Sequence, residues 1–397
     1  MSNTVKGYKP HDKQREIHNS INSKDAKYYV LCIGRQWGKT LLCINQLLYW
    51  AINSKGCNIG WVSPIYKQSK KVYNDLKKAT QKSGYFSYND SELIVKGFDS
   101  QITFYSAERP DNIRGNTFDF LVLDEFDFMK ANTWEEVLQP TVLVRGKKVV
   151  FISTPKGKRM MYKLSLLRHQ DDRYRFFRFS SYDNPMIDPR EIDSIRTNVP
   201  EHIFRQEYLA DFIDNGSGVF SNIPIKDNVE RTYKYFAGID LGRADDYTVL
   251  TILNERAEMV YCDRWRHSSW QSIVDAMVPI LNQYKPKTYI EVNSIGDVIF
   301  EQIKAICSDI HPFMTTSKSK QEAVEALQVA IQNKEFSMMD IDWLKKEFDL
   351  FTYEYSAKSR SIKYSAPVGF HDDGVMSCCI AYQAFKKLKF ADKFVII

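Results

Sequence analysis

Short apolar runs separated by helix-length amphipathic segments dominate the first 160 residues. Residues 28–33 (YYVLCI) form the first run and stop at Gly34; residues 38–52 (GKTLLCINQLLYWAI) follow with apolar positions at helical spacing. Further runs lie at 58–62, 102–105, 118–123 and 148–152, with a polar, helix-like segment at 66–80. Strands apolar on both faces that alternate with helices predict a mainly parallel α/β sheet. From 157 to 234 the pattern turns irregular and charged, with a helix expected at 200–211 and a break at Gly216 and Gly218. A second block then begins with three strands (234–241, 247–254, 257–264). A helix (270–284), a strand (288–292), helices at 295–308 and 321–333, two short strands (350–355, 361–365) and a helix from Asp373 to Lys387 follow. That order predicts a separate, mixed α/β domain. The expected division is 1–160, a lid or linker at 161–234, and 235–397.

Composition narrows the class. A chain of 397 residues fits two domains, and its 44% apolar and 14% aromatic content is ample for buried cores, which excludes wholesale disorder. Seventeen glycines and 13 prolines exclude collagen-like and low-complexity classes. The balance of 55 Lys+Arg against 49 Asp+Glu, net +6, permits a polyanionic partner without arguing for one. Seven cysteines, an odd number without a CxxC pair, read as buried reduced thiols. With no apolar leader and no run long enough for a membrane span, neither secretion nor membrane insertion is expected.

Two constellations carry chemistry. In the first, Gly34-Arg35-Gln36-Trp37-Gly38-Lys39-Thr40 lies at a strand-to-helix turn, where backbone N–H groups and the helix start suit a triphosphate. Lys39 would reach the β- and γ-phosphates of ATP and Thr40 would ligate Mg²⁺. Ile33 occupies the place of the usual first glycine, and Gly34 comes one position late. An apolar strand ending in Asp124-Glu125 supplies an acid for Mg²⁺ (Asp124) and one to polarise the attacking water (Glu125). Gln14 could read an adenine edge, or be a surface glutamine. Arg114 could supply transition-state charge, in cis or from a neighbouring subunit, or be a loop arginine paired with a carboxylate.

The second constellation is carboxylate-rich. Asp240 and Glu291 follow apolar strand residues, Asp245-Asp246 lie on the hairpin, and His371-Asp372-Asp373 open the last helix. Hard oxygen donors at neighbouring strand ends and a helix start suit two Mg²⁺ or Mn²⁺ ions, the arrangement used in phosphodiester hydrolysis. The alternatives are a turn residue at Asp240, an N-cap at Asp372 or Asp373, and a capping or surface histidine at His371.

The GRQWGKT loop, the ERPDNIRGNTFDFLVLDEFD stretch, the FISTPKGK segment and YSAPVGFHDDGVMSCCIAYQAF together resemble the tailed-bacteriophage terminase large subunit, over residues 8 to 390. The resemblance implies a P-loop (RecA/ASCE-like) ATPase followed by an RNase H-like nuclease. It implies ATP with Mg²⁺ at the first site and two Mg²⁺ or Mn²⁺ at the second. Ser153-Thr154-Pro155 matches the segment that couples hydrolysis to movement. Asp240 and Glu291 match the first and second metal acids, Asp373 in preference to Asp372 the third, and Asp246 an auxiliary acid. The partners implied are double-stranded DNA, the portal protein of the procapsid, a small terminase subunit and sister subunits in a ring, in the cytoplasm of an infected bacterium. Lys156, Lys158, Arg159, Lys318, Lys320, Lys358 and Arg360 are candidate phosphate contacts. Helicases of superfamily 2 share the Gln, GKT and DE signals but need a second RecA-like domain, which the chain after 235 does not resemble. A DNA-repair ATPase–nuclease, or an idle binding protein on a P-loop scaffold, are the competing classes.

Overall fold

Alternation along the first strand sets the architecture of the amino-terminal unit. β1 (Tyr28–Ile33) sends Tyr29, Leu31 and Ile33 into one core and Tyr28, Val30 and Cys32 into another, so the sheet is covered on both faces. β2 (Asn58–Ser63), β3 (Ser87–Asn89), β4 (Ile94–Gly97), β5 (Ser100–Ser106), β6 (Phe120–Asp124), β7 (Lys148–Ser153) and β8 (Tyr174–Phe179) complete eight strands in the order β3-β4-β5-β2-β6-β7-β1-β8. From β5 to β8 all pairings are parallel; β3 and β4 add an antiparallel edge. α1 (Asp12–Asn22), α2 (Lys39–Asn53), α3 (Tyr66–Thr80), the short α4 (Gln139–Thr141), α5 (Met160–Leu167), α6 (Pro189–Arg196) and α7 (Glu201–Glu207) complete the series of helices to this point. The computed structural model describes residues 7–214, 218–242, 246–266, 270–292, 296–356, 361–367 and 369–388.

The chain divides into two units, Met1–Arg196 with His202–Asp214, and Thr197–Glu201 with Asn215–Ile397. Much of the segment expected as lid or linker is therefore built into the first unit. β8 pairs with β1 along its whole length, from Tyr28↔Tyr174 to Ile33↔Phe179. It is an edge strand whose Arg175 and Arg178 leave it without a clean apolar run, which is why the pattern reads as irregular.

In the second unit β9 (Tyr235–Asp240), β10 (Thr248–Asn254) and β11 (Met259–Trp265) form an antiparallel meander. β12 (Lys287–Glu291) and β13 (Ile310–Phe313) extend it parallel to β9, in the order β11-β10-β9-β12-β13. β13, with Pro312 in four residues, gives too weak a pattern to be read from sequence. α8 (Trp270–Tyr284) and α9 (Gly296–Ile306) cover one face through Ile273, Met277 and Ile303 against Ala237, Ile239, Leu250 and Ile290. α10 (Ser317–Gln332), α11 (Asp342–Leu350), the hairpin β14 (Thr352–Ser356)–β15 (Ser361–Ser365) and α12 (Asp373–Leu388) follow. α12 crosses β9 at Gly238, where a Cβ would overlap the backbone at Ala381 and Ser377. Ser377 Oγ also donates to the Gly238 carbonyl (3.0 Å) and bonds Thr251 Oγ1 (2.9 Å). This close seating fixes the start of α12 against the carboxyl ends of β9 and β12. All seven cysteines are free, six of them buried. Among the described residues no helix is long and apolar enough to cross a membrane.

Candidate active sites

The first site grows from the end of β1. The turn from Gly34 to Gly38 enters α2 with two left-handed residues, Gln36 (φ +57°) and Gly38 (φ +95°). The late glycine has a local cause: a Cβ on Gly34 would lie 2.5 Å from the Tyr208 carbonyl oxygen and 2.8 Å from the Ser181 nitrogen. A strap after β8 lies against the turn there. Gly34 N–H donates to the Phe179 carbonyl (2.9 Å), Ser181 Oγ to the Arg35 carbonyl (2.7 Å) and Asn184 Nδ2 to the Gln36 carbonyl (2.8 Å). Gly34→Ala should therefore destabilise the unit by about 1–3 kcal/mol and weaken nucleotide binding. Thermal melting and a fluorescent-nucleotide titration check this; wild-type values in both would show that the strap yields.

Three strand ends meet behind the turn. Lys39 Nζ donates to Thr154 Oγ1 (3.0 Å) and lies 3.5 Å from Glu125 Oε1. Ser153 Oγ donates to Glu125 Oε2 (3.3 Å), and Thr154 Oγ1 donates to the Ile33 carbonyl (3.3 Å). Glu125 takes a left-handed backbone (φ +48°) that turns its side chain away from the path of β6. Asp124 is buried beside it, and its Oδ1 has no hydrogen-bond partner among the described residues. Burial, then the neighbouring Glu125 charge, pushes Asp124 up to about 7. An orphaned, buried carboxylate oxygen next to a lysine and a second acid fits a divalent cation.

Other residues expected here have defined places. Gln14 is buried; its Oε1 accepts from His11 N–H (3.2 Å) and its Nε2 donates to the Gly38 carbonyl (3.3 Å), tying α1 to the turn. Trp37 is fully buried, stacked on Phe179 (5.4 Å) and edge-on to His11 (4.7 Å). Arg35 pairs with Glu207 (2.5 Å), which also takes Lys156; burial alone would raise Glu207, but these two cations hold it below the ordinary carboxylate range. Arg114 pairs with Asp111 (2.6 Å) on an exposed turn. Asp127 escaped the sequence reading. It is buried and accepts from the backbone N–H groups of Lys156 (2.9 Å) and Met161 (2.8 Å), anchoring the segment after Ser153-Thr154-Pro155. An acid two places after the DE pair, inside an apolar stretch, was its only sequence signal.

The second site occupies the carboxyl ends of β9 and β12. The register pairs Ile239 with Ile290, which sets Asp240 and Glu291 side by side at adjacent strand ends. Asp240 is buried and shares a hydrogen bond with Glu291; burial first, then this bond and the charges of Glu291 and Asp373, hold it well above its usual pKa. Asp373, on the first turn of α12, accepts from Tyr247 N–H (3.1 Å) and is pushed up to about 6 by burial, with Asp246 adding to the effect. His371 Nδ1 lies 3.4 Å from Asp246 and 3.6 Å from Asp373, and these three side chains form a cluster of potential metal-ligating atoms. Asp372 turns instead to Lys320 (3.0 Å). A buried and a half-buried carboxylate sharing a hydrogen bond, with further acids beside them, form an all-oxygen donor set apart from one imidazole, which fits Mg²⁺ or Mn²⁺. Asp245 lies outside the described residues.

Several basic candidates have protein partners: Lys156 with Glu207, Lys158 with Asp214, Lys318 with Glu322, and Arg159 with the Asp127 carbonyl. Lys358 and Arg360 lie outside the described residues.

A P-loop ATPase fold followed by an RNase H-like nuclease fold, each with acids at its strand ends, is the class these features define. Residues 30–227 match the family described as terminase large subunit, T4likevirus-type, N-terminal. The terminase large subunit of Thermus phage G20c is 26% identical, with 96% of this chain and 88% of that one aligned. Among solved structures, the large terminase of a thermophilic bacteriophage shares the fold over 96% of this chain and 100% of that one, at 15% identity and a TM-score of 0.54. The complex of that terminase with ATP-gamma-S matches at 16% identity and a TM-score of 0.52, covering 93% and 97%. The chain belongs to the terminase large-subunit family.

Proposed function

We propose that the chain is the motor and nuclease of a viral DNA-packaging machine, hydrolysing ATP in its first unit and cutting concatemeric double-stranded DNA in its second. The observation that carries this reading is the meeting of Lys39, Glu125 and Thr154 at adjoining strand ends, in a chain of this family. In the first unit Lys39 would bind the β- and γ-phosphates, and Glu125 would orient and polarise the attacking water. Asp124 and Thr40 would hold Mg²⁺, and Gln36, Trp37 and Gly38 would present backbone N–H groups to the phosphates, the Gly34 and Arg35 N–H groups being bonded to the Phe179 and Glu207 carbonyls. Replacement of the Lys39–Glu125 contact by phosphate is the event that Ser153 and Thr154, bonded to both side chains, would pass on to Lys156 and the strap. Arg114 would serve as a charge donor in cis or in trans once released from Asp111.

In the second unit Asp240, Glu291 and Asp373 would hold two divalent ions, with Asp246 and His371 beside them. The chemistry such ions supply when bound is stabilisation of the attacking and leaving oxygens. Partners of this reading are the procapsid portal, a small terminase subunit and further copies of this chain. The deciding experiment incubates the purified chain, procapsids, linear duplex DNA and ATP, then adds DNase. Protection of full-length DNA that needs both ATP and portal supports the motor. ATP turnover and metal-dependent cutting without portal-dependent protection would favour a repair enzyme instead.

A further inference from the structure

The start of α12 is held from outside the acid cluster. Glu347 on α11 is buried; its Oε2 accepts the Gly374 N–H (2.8 Å) and its Oε1 faces Arg264 Nη1 (3.3 Å). Gly374 permits the approach, since a Cβ there would lie 2.7 Å from Glu347 Oε2, from Leu344 and from Trp343. The Arg264 guanidinium is set between two rings, 4.2 Å from Tyr247 and 4.3 Å from Trp343. Tyr247 in turn donates its backbone N–H to Asp373 Oδ2. The contacts thus close a circuit: Asp373, Gly374, Glu347, Arg264, Tyr247 and back to Asp373. A free N–H in the first turn of a helix is ordinarily capped by the residue just before it. Here a carboxylate from another helix takes that place, one residue from a candidate metal ligand.

We propose that Glu347, clamped by Arg264, is a positioning residue of the cutting site, fixing the first turn of α12 so that Asp373 faces Asp240 and Glu291. The inference rests on the reading of the second unit as a metal-dependent nuclease. Burying an ion pair is a poor way to add stability, because apolar replacements often do as well. Orienting the groups behind a ligand is a use that needs this acceptor in this geometry.

The test is direct Mn²⁺ binding to the full chain without DNA, followed by electron paramagnetic resonance, together with the Mn²⁺ dependence of plasmid nicking. Glu347→Ala should weaken Mn²⁺ binding and raise the half-saturating Mn²⁺ about ten- to a hundredfold. Glu347→Gln, whose amide oxygen can still accept from Gly374, should fall between Ala and wild type. A cooperative melting transition of the second unit serves as the folding control, and ATP turnover, which belongs to the first unit, should stay at the wild-type rate in both. A purely structural role would lower the melting temperature and leave Mn²⁺ affinity unchanged; that result in either folded variant overturns the proposal. If the Ala variant does not fold, Glu347→Gln decides alone, a shift of about threefold or more supporting the proposal and wild-type affinity refuting it. Wild-type protein that neither cuts nor binds Mn²⁺, or cutting that survives Asp240→Ala, would sink the nuclease reading itself and this inference with it. Cutting lost in Asp240→Ala alongside unshifted Glu347 variants would overturn this inference alone.

Discussion

Glu125→Gln should lower ATP turnover by about 10²–10⁴-fold, the scale of a lost general base, while Mn²⁺-dependent nicking of supercoiled plasmid persists. Lys39→Ala should abolish turnover as well, through lost phosphate binding. The two variants are not equivalent. Lys39 Nζ is bonded to Thr154 and faces Glu125, so its removal leaves a partly buried carboxylate beside Asp124 without its nearest cation. Some loss of stability should accompany Lys39→Ala. Glu125→Gln keeps an oxygen that can accept from Ser153 Oγ and removes only the charge. It also takes away one of the two causes that raise Asp124, so a melting temperature at or above wild type is expected. Phosphate release, plasmid nicking and melting on the same preparations decide the matter. Turnover near the wild-type rate in Glu125→Gln would remove Glu125 from the catalytic role. Loss of nicking in a folded Glu125→Gln would mean that the two chemistries do not belong to separate units.

What could be read in advance follows the range of the interactions. The turn at Gly34–Thr40, the acids ending β6 and the Ser-Thr end of β7 each sit at the junction of an apolar run and a polar residue, a signal confined to a few neighbours in sequence. The structure brings Lys39, Glu125, Ser153 and Thr154 together. The strap was not legible. Arg35 and Glu207 are 172 positions apart, and nothing local marks Glu207 as the partner of two cations. β8 was hidden for a related reason, since an edge strand with solvated arginines loses the alternation that announces a strand. In the second unit Asp240 and Glu291 were legible as strand-end acids. The choice between Asp372 and Asp373 was not, because it depends on the angle at which α12 enters, which Gly238 on β9, bonded by Ser377 of α12, and Glu347 on α11 set from two other segments.

The acids of the second site carry the other large expectation: Asp240→Asn should reduce metal-dependent cutting by at least about 10²-fold, leave ATP turnover unchanged, and stabilise the metal-free protein at neutral pH. The sign follows from linkage. Folding raises the Asp240 pKa, because burial and the adjoining Glu291 disfavour its charge. A carboxyl raised on folding contributes stability that is complete below its unfolded value near 4 and is lost as pH rises through its folded value. Asp373, pushed up to about 6, behaves in the same sense. Metal-free wild type should therefore melt lower at pH 8 than at pH 5.5 so far as these groups decide it, and Asp240→Asn should flatten that slope. An amide carries no charge to desolvate and can hydrogen-bond Glu291, so it should melt above wild type at pH 8. Each kcal/mol recovered corresponds to about 2–4 °C for a unit of this size. Added Mn²⁺ should reverse the order, since an ion that binds only the folded wild-type site raises its stability by mass action and leaves the variant nearly unmoved. Differential scanning calorimetry at two pH values, with and without Mn²⁺, reads all four conditions. A variant that melts below wild type without metal would show that Asp240 is held by favourable contacts, as an ordinary structural acid is. The case for a cation-binding carboxylate pair at the ends of β9 and β12 would then fail, even if cutting were lost.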